Sequence, residues 1–168
     1  MKSIKLFLSA IVLVATFSFN TFAQESANVA VDAVVVTALT VANEADIDLG
    51  TIQNGIASYI KANANDGTAN ANLGETAAAG QISIIGNATS SVDIAFGTAT
   101  LSDGTNTITF TPTVYFGATE VSTGDDITLT AGPDNLDVGG SLAAPSVAGT
   151  YSTGSAGGSP ITITVTYN

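Results

Sequence analysis

The C-terminal stretch PITITVTYN, residues 160–168, is the part of the sequence that best indicates the fold. Large apolar side chains alternate along it with threonines. Because successive side chains of a β-strand point to opposite faces, this period of two predicts a strand. One face carries Ile161, Ile163, Val165 and Tyr167, and the other carries Thr162, Thr164 and Thr166. We expect the first set to face a hydrophobic core and the threonines to lie outside it.

The same alternation recurs upstream in short stretches that are separated by turn-forming residues. These stretches are ASYIKA (57–62), QISIIG (81–86), VDIAFG (92–97), TITFTPTVYFG (107–117), ITLTAG (127–132) and GTYSTG (149–154). LSDGTNTITF (101–110) predicts a hairpin turning at Asp103 and Gly104, and TGDD, GPDN, VGG and AGGSP predict further turns. About ten short strands of this kind are typical of an all-β, immunoglobulin-like sandwich. A barrel or a β-helix is the alternative, although no fixed-length repeat is visible.

The first 23 residues have the three-part layout of a secretory signal peptide. Lys2 and Lys5 precede an apolar run over residues 6–19, and small residues then flank Phe22 in the tripeptide TFA, residues 21–23. The run is shorter than the roughly 20 residues that a membrane-spanning helix needs. We therefore expect cleavage after Ala23, one β-sandwich domain over residues 24–168, and a location in the periplasm, on the cell surface or outside the cell.

Removal of that segment leaves a strongly acidic chain. Lys61 is then the only basic residue against fourteen acids, which gives a side-chain charge of −13. Phosphate backbones and anionic lipid headgroups are bound through Lys and Arg. The charge balance therefore argues against nucleic acid as a partner, and no apolar run after the leader is long enough for membrane insertion.

The residue types that most enzymes use are missing. The chain contains no Cys, His, Arg or Trp, so the common nucleophilic triads and the usual zinc, copper and haem ligands cannot be assembled. Paired carboxylates for glycoside hydrolysis stay possible in principle. We predict that the protein is not an enzyme and has no metal site or cofactor. Calcium has candidate oxygen ligands in the turn residues Asp103, Asp125, Asp126, Asp134 and Asp137, although Asp is also an ordinary turn former.

Residues 29–41 alternate over thirteen positions, which is long for a strand. The odd positions include Val29, Val31, Val35, Leu39 and Val41. At roughly 3.3 Å per residue the stretch would span about 43 Å, whereas an ordinary strand has about 5–6 residues. It is either a first strand that crosses from one sheet to the other or an extension that adds a strand to the open edge of another subunit.

Three segments together resemble a known family. They are IDLGTIQNG (47–55), residues 81–114 from QISIIG to TPTV, and residues 136–168, with a VGG-x-L turn and strand, a Gly-x-Tyr and a final strand ending in Tyr-Asn. They are similar to secreted bacterial proteins grouped as domain-of-unknown-function family 4402. That family in turn resembles the subunits of chaperone–usher pili. Those subunits share an incomplete immunoglobulin-like sandwich, an N-terminal donor strand and a penultimate Tyr, here Tyr167.

The resemblance implies that the partners are copies of the chain or related subunits and a periplasmic chaperone. The pilin disulfide is absent, and the spacing from Gly154 to the end departs from the pilin pattern. The sequence therefore predicts a secreted or surface-exposed, pilin-like structural protein of a fimbrial or adhesive assembly that acts by strand pairing. The alternative is a monomeric extracellular module that binds carbohydrate or calcium.

Overall fold

The computed structural model describes residue 30 and residues 32–168. The predicted signal peptide and the predicted interaction residues Val29 and Val31 lie outside the described residues. Val35–Asn168 forms one compact unit, and of Met1–Val34 only residues 30 and 32–34 are described. No helix in the described part of the chain is long and apolar enough to cross a membrane.

The described residues form β-strands and no helix, as the period-two pattern predicts. In chain order they are β1 Thr40–Ala45, β2 Ser58–Ile60, β3 Gly80–Ile85, β4 Ser91–Phe96, β5 Ala99–Ser102, β6 Thr107–Phe116, β7 Thr119–Val121, β8 Asp125–Thr128, β9 Asp134–Leu142 and β10 Ile163–Tyr167. One sheet has the order β1-β3-β9-β6-β5, with β2 on β9 and β7 on β6, and the other has the order β10-β4-β8. All these pairings are antiparallel. The prediction of an all-β sandwich is confirmed.

The main core lies between the two sheets. Its fully buried side chains include Ile84 of β3, Leu136 of β9 and Val114 of β6 from the larger sheet, and Val92 and Ile94 of β4 from the smaller one. Along β4, Val92 and Ile94 alternate with the less buried Ser91, Asp93 and Ala95, as strand geometry requires. Each fully buried side chain of this kind contributes about 1.5–3 kcal/mol.

A second hydrophobic cluster lies at the other end of the larger sheet. It contains Ile60, Ala99, Ile108, Phe110 and Leu142, with partly buried side chains from residues 47–79 packed against it. β9 connects the two cores, because its first half pairs with β3 and its last residues pair with β2. Through β9, the larger sheet therefore contributes side chains to both cores.

The change of partner along β9 depends on Gly139 and Gly140. Gly140 has φ +143°, and a Cβ there would collide with the Thr111 carbonyl oxygen and lie 2.8 Å from the Pro112 Cα. A Cβ on Gly139 would collide with the backbone of Ile60 and Ala62. The prediction that VGG forms a turn is wrong, since both glycines lie inside a nine-residue strand where neighbouring backbones approach closely.

Other local predictions differ in outcome. β2, β3, β4, β6 and β10 lie within or overlap the predicted stretches, and the predicted hairpin is formed by β5 and β6. GTYSTG contributes only an isolated bridge at Ser152.

Residues 29–41 do not form one long strand in their described part, because residues 32–39 belong to no strand and β1 begins at Thr40. Alternation allows a strand, but only pairing with a neighbour produces one.

Candidate strand-pairing site

β10 has a strand neighbour on one side only. It pairs with β4 in an unbroken register from Ile163 opposite Phe96 to Tyr167 opposite Val92. Within residues 30 and 32–168, no other strand pairs with it. Its second edge is therefore open.

The antiparallel pattern shows which backbone groups point to that open edge. Just after the strand, the Asn168 N–H donates to the Ser91 carbonyl at 3.3 Å. Because hydrogen-bonded and non-hydrogen-bonded pairs alternate, the N–H and C=O groups of Ile163, Val165 and Tyr167 point away from β4. A strand added at this edge would form its backbone hydrogen bonds with these groups.

The inward side chains of β10 are incompletely covered. Ile161, Ile163, Val165 and Tyr167 are partly buried and pack against the hydrophobic cores, while the intervening threonines are exposed. Across the pair, Val92 and Ile94 of β4 are fully buried. The smaller sheet therefore has an open backbone edge and a half-covered apolar face on the same strand.

The larger sheet is also incompletely covered at β1. Val41 pairs with Ile84 and so lies on the same face of the sheet. Ile84 is fully buried, whereas Val41 is 42% exposed. We call the uncovered apolar surface along β10 and the start of β1 the open side of the core.

Most other sheet edges carry features that block strand addition. The outer edge of β5 is bonded to Ser152 and Ser159 by two backbone hydrogen bonds each, at 2.8–3.0 Å. β1 has a register shift between Asn43 and Ala45 and carries Glu44. Irregular pairing and charge are the usual ways in which natural edge strands are protected.

The short edge strands fit the same pattern. β8 carries Asp125 and Asp126, β7 is three residues long with Glu120, and β2 is three residues long and bridged to Ala71. β10, in contrast, has five residues, no charge, no proline and a regular register. Among the strands of the described chain, it is the edge best suited to accept another strand.

The apolar segment before β1 is largely exposed in its described part. The side chains of Val34, Val35 and Val36 are 93%, 91% and 44% exposed. Leu39 is partly buried against the main core. Of the described residues predicted to take part in strand pairing, Val35 is therefore free to contact a partner, Leu39 belongs to the core, and Val41 lies in β1.

The Tyr167 hydroxyl joins this segment to β10. It donates to the Thr37 carbonyl at 2.7 Å and accepts the Asn87 N–H at 2.6 Å. The end of β10 is therefore in contact with the residues just before β1. Alternation placed Tyr167 on the core face, but nothing in the sequence pattern indicated the partners of its hydroxyl group.

The acidic turn residues act as hydrogen-bond acceptors within the protein. Asp103 accepts the N–H groups of Asn106 and Thr105 at 2.6 and 2.8 Å. Hydrogen bonds from the backbone and side chain of Asn106 and from the Thr105 backbone lower the pKa of Asp103 to about 2. Its carboxylate stabilises the β5–β6 turn.

The remaining calcium candidates have similar roles. Asp125 accepts the Ser122 N–H, Asp134 the Thr130 N–H, Asp137 the side-chain amides of Gln81 and Asn63, and Asp126 the side-chain amide of Asn168. Across residues 30 and 32–168, no group of three or more acidic side chains is placed to hold a metal ion. These contacts assign the acids to turns and to contacts between strands.

One buried acid was not identified from the sequence. Asp66 is 3% exposed and accepts the Tyr59 hydroxyl and the N–H groups of Ala62 and Thr68 at 2.8–3.1 Å. Burial raises the pKa of Asp66, but these hydrogen bonds outweigh burial and hold the pKa below its ordinary value. The Asp66-Gly67 dipeptide signals a turn, and the buried carboxylate organises the loop after β2.

Comparisons with known proteins give no relative. No protein-family model matches the chain, and no curated protein or solved structure was found to match it. The resemblance to family 4402 and to pilus subunits stays a prediction.

Proposed function

We propose that this protein is a secreted structural subunit that assembles by strand addition. The open edge of β10 is the acceptor, and the valine-rich segment over residues 29–36 of another copy is the donor. One observation carries this proposal: β10 combines an unpaired backbone edge with inward side chains that are only partly covered. A strand added at this edge would bond to the unpaired backbone groups of β10 and would also cover its apolar side chains.

The donor segment has the pattern that such a groove requires. Val29, Val31 and Val35 are spaced by even numbers of residues, so in an extended chain they share one face. Burial of each contributes about 1.5–3 kcal/mol, against an association cost of about 4–15 kcal/mol. Several valines and the backbone ladder are therefore needed together, which favours a long segment over a short one.

The charge distribution is compatible with contact between copies despite the high net charge. Asp32 is the only charged residue in 29–36, and β10 carries none. Repulsion between the remaining acids acts over longer distances and is screened beyond about 10 Å at 0.1 M salt. The proposed role uses no catalytic group and no cofactor, in keeping with a chain that has no Cys, His or Arg.

The experiment compares two triple variants of residues 24–168 that carry the same added charge. The first replaces the odd-numbered valines (Val29→Asp, Val31→Asp, Val35→Asp), and the second replaces residues of the opposite face (Ala30→Asp, Val34→Asp, Val36→Asp). Strand addition requires one face of the donor to enter the groove. We expect the first variant to be monomeric by size-exclusion chromatography with light scattering, and the second to retain self-association.

Two results would count against the proposal. If both variants associate like the unmodified chain, the segment is not the donor. If the unmodified chain stays monomeric over the accessible concentration range, self-assembly through β10 is excluded.

A further inference from the structure

Three parts of the chain meet at Gly86, in the connection between β3 and β4. A Cβ on Gly86 would lie 2.6 Å from Leu129 Cδ1, 2.7 Å from the Tyr167 hydroxyl oxygen and 2.8 Å from Leu39 Cδ2. The missing side chain leaves space for the Tyr167 hydroxyl group and for the Leu39 and Leu129 side chains. This contact brings the end of β10 next to the residues that precede β1.

The Tyr167 hydroxyl group both donates and accepts a hydrogen bond at this contact. Its proton is donated to the Thr37 carbonyl at 2.7 Å, and its oxygen accepts the Asn87 N–H at 2.6 Å. Both partners are backbone groups, so the contact fixes the path of the chain and does not depend on their side chains. Tyr167 therefore holds the segment before β1 against the β3–β4 connection.

Thr37 marks the boundary between the packed and the exposed parts of this segment. Leu39, two residues later, packs against the core. Val36 and Val35, just before Thr37, are 44% and 91% exposed. The position of the Tyr167 contact therefore determines where the exposed valines leave the sandwich.

We infer that Tyr167 is a positioning residue for strand donation, because its hydroxyl fixes the exit point of the donor segment and directs that segment to a second copy. This inference rests on the proposed function. With Thr37 held at the Tyr167 end of β10, the chain's own upstream residues could run along β10 only parallel to it. Parallel pairing is slightly less stable per residue than the antiparallel pairing found throughout these sheets.

A fixed exit point also lowers the cost of association. A segment held at one end loses less conformational entropy when it is docked than one that is free along its whole length. Loss of the hydroxyl should therefore weaken assembly while leaving the sandwich folded, because the ring that fills the core is retained.

The test is Tyr167→Phe in residues 24–168, with Tyr151→Phe as the matched control. Tyr151 also donates its hydroxyl proton to a backbone carbonyl, that of Val147 at 3.0 Å, but lies outside the segment before β1. In Tyr167→Phe we expect the Asn87 amide and the amides of residues 38–40 to exchange hydrogen roughly two- to tenfold faster. The concentration for half-maximal assembly should rise several-fold, with an unchanged circular dichroism spectrum. Tyr151→Phe should change neither quantity.

The outcomes separate this inference from the proposed function. If the unmodified chain assembles and Tyr167→Phe assembles equally well with unchanged exchange, the inference fails and strand addition stands. If the unmodified chain does not assemble at all, strand addition fails and the positioning role of Tyr167 fails with it. Faster exchange together with weaker assembly supports both.

Discussion

At the scale of single residues, Gly140 shows how backbone geometry restricts which residue type a position can hold. Its φ of +143° lies outside the range that L side chains commonly adopt, and its α-carbon faces the Thr111 carbonyl on the neighbouring strand. Two independent constraints therefore act on one residue. Only the absence of a side chain lets β9 pass from one core to the other at this point.

Gly140→Ala should lower the free energy of unfolding by about 3 kcal/mol or more, since strain at a positive φ and overpacking each cost roughly 1–3 kcal/mol. Gly55→Ala is the control, because Gly55 also has a positive φ, +78°, but has no other atom within 4 Å of the added methyl group. It should lose only the strain contribution. Urea unfolding of both variants measures the difference, and equal losses would mean that the contact with Thr111 is unimportant.

At the scale of an element, β10 combines side chains that pack against the core with an unpaired backbone edge. Its alternation gives it an apolar face and a threonine face, and its position at the end of the sheet leaves one backbone edge unpaired. β1, at the end of the other sheet, differs in its register shift and its charge. The two end strands therefore differ in how readily another strand could pair with them.

Ile163→Asp should destabilise the domain by about 2 kcal/mol or more, near the lower end of the range for loss of a large aliphatic core side chain, because it replaces a partly buried, inward-facing side chain with a charge. Thr164→Asp adds the same charge one residue later on the exposed face and should cost no more than about 0.5 kcal/mol. Thermal and denaturant unfolding compare the two. A Thr164→Asp loss as large as that of Ile163→Asp would contradict the assigned faces of β10.

At the scale of the whole molecule, the described residues form two packed sheets, and the apolar surface along β10 and the start of β1 is only partly covered. Core side chains are contributed from Leu39 to Tyr167, whereas the described valines before Thr37 contribute none. The open side of the core is bounded by β10 and the start of β1. This partly covered surface adjoins the unpaired edge of β10 at the end of the smaller sheet.

Deletion of residues 24–36 should leave a folded monomer, because Leu39 is the first core side chain among the described residues. Deletion of residues 24–40 is the control, since it also removes Leu39 and the Thr37 carbonyl that Tyr167 contacts. Loss of Leu39 alone removes up to about 1.5–3 kcal/mol. Circular dichroism and thermal unfolding should show a native-like shorter deletion and a clearly destabilised longer one. An unfolded product from the shorter deletion would show that residues 24–36 belong to the sandwich itself.

The sequence predicted the strands best where one face of the strand is apolar and the other is polar. Ile163 and Thr164 differ in burial as their alternation predicts, and the Asp103-Gly104 turn joins β5 and β6. It failed for β9, where glycines resemble a turn, and for residues 32–39, where alternation has no partner strand. In both cases the missing information was the position of a neighbouring backbone.

The sequence by itself determined the all-β class, the acidic character and the absence of the side chains that most catalytic sites require. These properties follow from composition and from a period of two, which is a local property of the extended backbone. Only the tertiary structure decided that β10 lies at a sheet end, and that the Tyr167 hydroxyl contacts Thr37, 130 residues away in the chain. Strand order and such distant contacts depend on how the whole chain closes around its cores, and no local pattern of residues contains that information.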